Sequence, residues 1–566
     1  MKKEKIVDFL KKNKIEVKGK INFQSKEEKI QFLNNFYQII KNNVYINLIN
    51  EDIKNIIVKI KINKKNLEIL KQINWEFYCN FILEDKTNKY IKKKYESFIE
   101  FLEEALEIKT NKLFIYKSNF NVNQDLNEKI KKYNVEIVSN YNQEGKKYSI
   151  QDFILYFNKR LEYFSNILIK QVNQNNIIRI SNLKDLNNTN EEVTIIGLIS
   201  EIKYTQSNHL MITLDDKSGQ IKCFINKNKL FSSSKQYDKN LKLIVDNLCL
   251  DEGIAMIGKI GNNIIWTDNI ISVRPFKKKQ IKKTQEDNFI VCTSDIHSSS
   301  KKFNEESFLK FVDFIRGKTK SKKLNNIAKK IKYIFITGDI IEGIGIYPTQ
   351  EIDSTLMSGI LQYKRIAKIL DKIPKDICIV LISGNHDANR LSEPQLSLPY
   401  DIAYPLYNLE NLICLSNPSI LNVFNYNLNS KLKFHLYHGA SLFYYADNIK
   451  YLREMGGVKV SLEILKYLLE KKHLAISHGS VPYIPDYKED ALIIKDLPDF
   501  FLVGHSHKLS VENYKGCTLV SGGCWVEMSD YQERVDIVPD VGKCVLINTK
   551  NRKTHILNFN NKDDKK

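Results

Sequence analysis

Apolar residues recur at helical spacing through residues 1–117, most clearly in KIQFLNNFYQIIKNNV and YESFIEFLEEALEIKT, and predict a helical N-terminal domain. Residues 118–148 are polar and Asn-rich and read as a linker. SIQDFILYFNKRLEYFSNILIK restores a single apolar face and predicts a helix within a connector over 149–177. Between 178 and 276 the pattern changes to short β-branched runs punctuated by Gly, Asn and Asp: EVTIIGLISEIKY, HLMITLDD, GQIKCFIN, GIAMIGKI, NIIWTDNIISV. About five such strands with a DDKSGQ turn predict a small OB-like β-barrel.

A basic segment, 277–287 with KKKQIKK at its start, separates the barrel from the rest. It reads first as a solvated linker and alternatively as a strap against phosphates. From 288 to 557 apolar strands each run into a polar cluster: FIVCTSDIH, YIFITGDIIEG, ICIVLISGNHD, FHLYHG, HLAISHG, FFLVGHSH. Helical stretches such as ESFLKFVDFIRGK and LEILKYLLEKK lie between them, which predicts layered α and β structure with functional groups at strand ends. The last residues, 558–566, read as a tail. The expected class is multidomain α+β.

Composition narrows the function classes. The chain has 566 residues, 43% hydrophobic and 11% aromatic, enough apolar surface for several folded domains. No apolar run approaches about 18 residues and MKKEKIVDFLKKNK lacks a signal-peptide core, so we expect neither a membrane span nor secretion, but a cytoplasmic, nucleoid-associated protein. Nine cysteines without a CxxC pair read as reduced core thiols. The net charge of +21 suggests a polyanion partner, yet it divides as +11 over 1–170, +6 over 171–285 and +4 over 286–566. The charge therefore marks where a strand could approach and says little about the chemistry.

The chemistry lies in the strand-end clusters. Asp295 and His297 are spaced D-x-H, and His505 and His507 H-x-H; on a strand such pairs point to one face. Asp339 follows a third strand, Asn385, His386 and Asp387 a fourth, and His438 a fifth, each beside a glycine that allows a tight exit. The mixed imidazole, carboxylate and amide donors suit Mn, Fe or Zn better than Mg or Ca alone. Seven donors exceed one tetrahedral site and fit two divalent ions about 3.5–4 Å apart sharing a carboxylate. His478, also at a strand-end His-Gly, competes with His438, whereas His209, His435 and His473 read as structural. Phe224 and Trp266 in the barrel are candidates to stack on bases, with a core position as the other reading.

The five blocks D-x-H, GD, GNHD, HG and GHxH, in that order, resemble the calcineurin-like metallophosphoesterases. The resemblance implies a two-sheet β-sandwich flanked by helices. It further implies that Asp295, His297 and His507 hold a first metal, that Asp339 bridges, and that Asn385, His438 and His505 hold a second. His386 would face the scissile phosphate as transition-state stabiliser or general acid, oriented by Asp387. The barrel ahead of this domain, with IQDFILYFNKR, HLMITLDDKSGQIK, SDIHSSSK, GDIIEGIGIYPTQ, GNHDANR and VGHSHK, resembles the small subunits of archaeal D-family DNA polymerases over about 149–545. KKHLAISHG and GGCWVEMSDYQ depart from that family's usual pattern without touching a proposed ligand.

The resemblance implies a proofreading 3′–5′ exonuclease acting on a DNA 3′ end beside a large catalytic subunit. Two alternatives stay open: a catalytically silent scaffold, and a generic metal-dependent phosphodiesterase. QDFILYFN at 151–158 matches a sliding-clamp peptide only in part, so the clamp stays an open partner.

Overall fold

The computed structural model describes residues 120–560, apart from 144, 187–190, 233–237, 349, 426–427, 487, 489 and 535, together with a short antiparallel strand pair, Asn47–Ile49 with Ile57–Lys59. The helices expected at 29–44 and 95–110, and residues 561–566 of the expected tail, lie outside the described residues.

Residues 118–148 correct the expected linker. They hold helix α1 (Val122–Lys132) and strand β1 (Val135–Asn140). Asn121 caps α1 by accepting from Gln124 N, and buried Lys129 donates to Tyr407 O at 2.9 Å and pairs with Asp125. The polar composition concealed an amphipathic unit, because Tyr133 and Val135 are buried while most of its other residues are wet. Helix α2 (Ile150–Leu168) follows, opened by a capping box between Ser149 and Asp152.

Five strands then close a barrel: β2 (Glu192–Tyr204), β3 (Leu210–Asp216), β4 (Gly219–Ile225), β5 (Gly253–Gly261) and β6 (Ile264–Ser272), in the order β2-β3-β4-β6-β5. All neighbours are antiparallel except β4 with β6, and β5 returns to β2. Its interior is aliphatic, with Ile195, Ile212, Leu214, Ile225 and Met256 buried. The barrel rests on the following domain through its 247–252 segment. Lys471 reaches Glu252 at 2.6 Å, Ser477 Oγ donates to Leu250 O, and His478 N donates to Asp251.

The remaining strands form two six-stranded sheets packed face to face. The first has the order β10-β9-β8-β7-β16-β17, from β7 (Phe289–Thr293), β8 (Ile331–Thr337), β9 (Cys378–Ile382), β10 (Leu412–Leu415), β16 (Lys543–Asn548) and β17 (Thr554–Asn558). Its strands β7 to β10 are parallel, predominantly apolar and buried apart from Lys332, as expected where both faces are covered. The second has the order β14-β15-β13-β12-β11-β1, from β11 (Ser419–Asn425), β12 (Leu428–Leu436), β13 (Phe500–Val503), β14 (Leu509–Tyr514) and β15 (Cys517–Gly522). Between the sheets lie Phe335, Phe434 and Phe500, stacked at 4.5 and 4.4 Å. Helices α3 (Glu305–Ile315) and α4 (Gly359–Leu370) cover the outer face of the first sheet, and α5 (Ser461–Lys471) packs on the second.

Lys277, Lys278, Lys282 and Lys283 of the basic segment are exposed, and the segment is tied to the sandwich at two points. Lys279 donates from its backbone to Lys515 O and from Nζ to Leu497 O, and pairs with Asp499 at 2.6 Å; Arg552 donates to Lys282 O. Asp499 stands at the entry of β13, while Gly504 follows its exit. The lysines are thus held about a strand length, roughly 15 Å, from the clusters. The eight described cysteines are buried thiols, and among the described residues no helix is long and apolar enough to cross a membrane.

One buried ionic network ties α2 to the sandwich. Arg160 donates to Asp490, to Ile476 O and to the Tyr156 hydroxyl, and Asp490 also receives Tyr156 and His473 Nε2. Removing one partner strands the other charge in the interior, so Arg160→Met is predicted to cost about 3–5 kcal/mol, read as a fall in the denaturation midpoint. His435, buried and stacked 4.4 Å from Phe501, is pushed by burial from an ordinary 6.5 down to about 3. It stays neutral in the fold while the unfolded chain takes up its proton, so stability is lost as pH falls from 6.5 towards 3. His435→Phe is predicted to flatten that slope by up to one proton, measured as denaturation midpoint against pH.

Candidate metal centre

The sandwich brings the five sequence clusters to one edge, at the C-terminal ends of β7, β8, β9, β12 and β13. The means differ from the strand alternation expected. β7 ends at Thr293 and β13 at Val503, so Asp295, His297, His505 and His507 all lie beyond their strands. Each has left-handed backbone, with φ of 50°, 47°, 66° and 55°, and Asp339 shares it at 51°. The chain curls back at every exit, and these five side chains point to one centre. Such a conformation costs about 1–2 kcal/mol per residue with a Cβ. Hydrogen bonds between neighbouring exits hold it: Asp295 N donates to Gly338 O, and His297 N to Asp339 O. Gly338, at φ 94°, and Gly384 have no Cβ because His438 and Asp339 stand where one would be.

Seven predicted ligand residues converge. Asp339 Oδ2 lies 3.6 Å from His297 Nε2 and 3.3 Å from His438 Nε2, between the two halves of the cluster. His507 Nε2 is 3.6 Å from Asp295 Oδ1, and His438 Nε2 is 2.8 Å from Asn385 Oδ1. Donor atoms lie within 4.8 Å of one another in three groups: Asp295 with His297 and His507; His297 with Asp339 and His386; Asp339 with His438 and His505. Asp295, Asp339 and His438 are at most 1% exposed.

The electrostatics leave this cluster short of a counter-charge. Burial and the facing Asp339 raise Asp295 to about 7 against the pull of His438. Burial would also raise Asp339, but the charges of His438 and His386 hold it well below the usual carboxylate range. Burial disfavours charge on His438 and His297, yet the carboxylates outweigh it and lift them to about 10 and 9. Burial lowers His505 to about 3.

Two features fit the cluster to cations. Nε2 of buried His297 makes no hydrogen bond, although such groups are normally satisfied. His438 Nδ1 donates to Thr337 O at 2.8 Å, which fixes the ring so that Nε2 is the nitrogen facing Asp339 and Asn385.

His386 lines the cleft above the cluster, a cavity of about 660 Å³. Its ring lies 4.6 Å from that of His297, and Nδ1 is 2.8 Å from Glu342 O. The expected partner, Asp387, is turned elsewhere: its carboxylate accepts from Gly384 N at 2.8 Å and Ile340 N at 3.2 Å, beneath the loops. The backbone of Glu342 orients His386, while Asp387 shapes the loop that carries it. His478 is exposed against Tyr483, away from the cluster, which settles its competition with His438. His473 belongs to the Arg160 network, and His209 lies beside Phe224 on the barrel.

Trp266 is 50% exposed on the barrel wall with Phe224 edge-on at 5.1 Å, so neither fills the barrel core. Two supporting residues escaped the sequence reading. Glu342 places Oε2 3.2 Å from His297 Nδ1 and receives the Tyr347 hydroxyl at 3.0 Å; Gln532 places its amide 2.7 Å from His507 Nδ1. Glu342 lies three residues after Asp339 in GDIIEG, a readable signal, whereas Gln532 arrives from a short helix, Asp530–Arg534, on a separate segment. Three residues before it, Ser529 N donates to Gln532 Oε1 and fixes the amide's orientation.

The family model described as calcineurin-like phosphoesterase matches residues 290–509. The chain is 30% identical over 473 residues to the DNA polymerase II small subunit of Pyrococcus horikoshii, covering 83% of this chain and 72% of that protein. It is 31% identical to the Methanothermobacter thermautotrophicus small subunit, over 70% of this chain and 78% of that one, and 32% identical to that of Archaeoglobus fulgidus, over 70% and 74%.

Because Glu342 braces His297, Glu342→Ala is predicted to weaken Mn²⁺ binding about 10–100-fold in a calorimetric titration. Unchanged affinity would remove Glu342 from the centre.

Proposed function

The chain belongs to the family of archaeal DNA polymerase II small subunits, and from that premise we propose that it is a metal-dependent 3′–5′ exonuclease that trims DNA ends beside a large polymerase subunit. The observation that carries this reading is the convergence of all seven donor residues, with Asp339 Oδ2 between His297 and His438. A silent scaffold has no need to keep that set at the expense of five left-handed residues.

In this reading Asp295, His297 and His507 would hold one divalent ion, Asn385, His438 and His505 would hold the other, and Asp339 would serve both. Mn, Fe or Zn suits the donors. Two such ions supply an activated water and neutralise phosphoryl charge. The chain's own residues do the rest. Glu342 O accepts from Nδ1 of His386, so Nε2 is the atom turned to substrate; with the ring protonated at both nitrogens beside the anionic phosphate, Nε2–H would stabilise the phosphoryl oxygens or pass its proton to the leaving 3′ oxygen, leaving the neutral Nδ1–H ring. Buried Ser294 and Trp525 brace the β7 exit, Trp525 N donating to Asp295 O and its indole to Thr293 Oγ1, and so hold Asp295 and His297 in register.

The closed five-stranded barrel supports the OB-like reading, and Trp266, Phe224 and the Lys227–Tyr204 pair give its outer wall an aromatic, cationic surface suited to a single strand. The large subunit would bind alongside, and the chain is expected to co-purify with it.

With Mn²⁺ added, the wild type is predicted to shorten a 3′-labelled oligonucleotide. His386→Ala should lower the rate about 10²–10⁴-fold, and Asp339→Ala should abolish it. Equal and negligible turnover in all three would leave the scaffold reading standing. Preference for a small phosphodiester over DNA would favour the generic phosphodiesterase.

A further inference from the structure

Beside the metal centre lies a second cavity, of about 580 Å³, and His386 forms part of the wall of both. Its lining is apolar, with Ile341, Ile346, Ile360, Leu396, Pro399 and Ile402 among its walls. The volume is that of a small-molecule site and exceeds what packing defects leave in a folded domain. The acidic residue in its wall, Asp387, gives its carboxylate to the backbone N–H groups of Gly384 and Ile340, so no anionic face is turned into the space. Arg390 stands in the same wall, its guanidinium donating to Pro394 O.

We propose that this cavity receives a nucleobase flanking the scissile phosphate. The proposal rests on the exonuclease reading and adds a substrate-binding site to it. In a nucleic acid one sugar separates each phosphate from its base. A phosphodiester placed at His386 therefore delivers a flat, largely apolar ring to the adjoining depression. Isoleucine, leucine and proline walls bind such a ring through its faces without reading its edge, which suits an enzyme that must accept any of four bases. The cavity thereby distinguishes a nucleotide chain from a simple phosphodiester, a discrimination the metal centre cannot make by itself.

The test is a coupling measurement on the full chain with its large subunit and Mn²⁺. Three substrates are used: an oligonucleotide, the same oligonucleotide with abasic residues at its last two 3′ positions, and bis(p-nitrophenyl) phosphate. Two variants fill the cavity from its wall, Ile402→Trp and Leu396→Trp. In the wild type, removing the bases should lower kcat/KM about tenfold or more. Each filled variant should lose a similar factor on the normal oligonucleotide relative to the small diester, and should lose little further on the abasic one, because both changes delete the same contact. Additive losses would overturn the proposal. So would loss of large-subunit binding on filling the cavity, which would make it a protein-docking pocket. A wild type that hydrolyses the small diester but is indifferent to the bases overturns the cavity's role alone. A wild type inert on every substrate overturns the exonuclease reading beneath it.

Discussion

Left-handed backbone at five non-glycine residues is the constraint on which the site depends. Asp295, His297, Asp339, His505 and His507 each turn the chain back where a strand ends, and each carries a donor to the centre. Aspartate and histidine tolerate this region better than branched residues, but the conformation persists only where surroundings over-determine it. Here the surroundings are two sheets packed on a buried apolar core, a Trp525 wedged against β7, and backbone bonds that link one exit loop to the next. The fold therefore holds the donors in place before any ion arrives, and a bound ion need only relieve the charge imbalance that burial creates.

That constraint explains what was legible in the sequence. Each donor follows an apolar run, so the strands, their order and the donor residues could be read from FIVCTSDIH, YIFITGDIIEG, ICIVLISGNHD, FHLYHG and FFLVGHSH. The geometry could not, because alternation along a strand and a left-handed turn after it both bring D-x-H residues together. Asp387 was misjudged for a related reason. Adjacency to His386 suggested an orienting carboxylate, but consecutive residues in a tight loop diverge, and the side chain satisfies buried N–H groups instead.

The other gaps are non-local. β1 completes the edge of the second sheet by pairing with β11 almost 300 residues away, and nothing in the Asn-rich stretch around it announces a partner. Gln532 reaches His507 from the short helix Asp530–Arg534, and Arg160 finds Asp490 across 330 residues. Long-range polar pairs carry no local periodicity. The barrel, by contrast, was readable because its strands alternate apolar and polar positions within themselves, as in the buried and half-buried alternation of β3.

Charge, fold and site now fit one picture. The excess basic residues lie outside the nearly balanced sandwich, and the lysines of the basic segment are fastened to the far end of β13 by Asp499. The proposed chemistry belongs to a buried acid–imidazole cluster, and in that reading contact with a strand falls to surfaces around it. The account's central claim is that the cluster holds two divalent ions about Asp339. A crystal of the protein soaked in Mn²⁺ and measured at the manganese absorption edge tests it most directly. The account predicts two anomalous peaks about 3.5–4 Å apart, one among Asp295, His297 and His507 and the other among Asn385, His438 and His505, with Asp339 between them. A cluster that gives no peak, or a single peak away from Asp339, would contradict it.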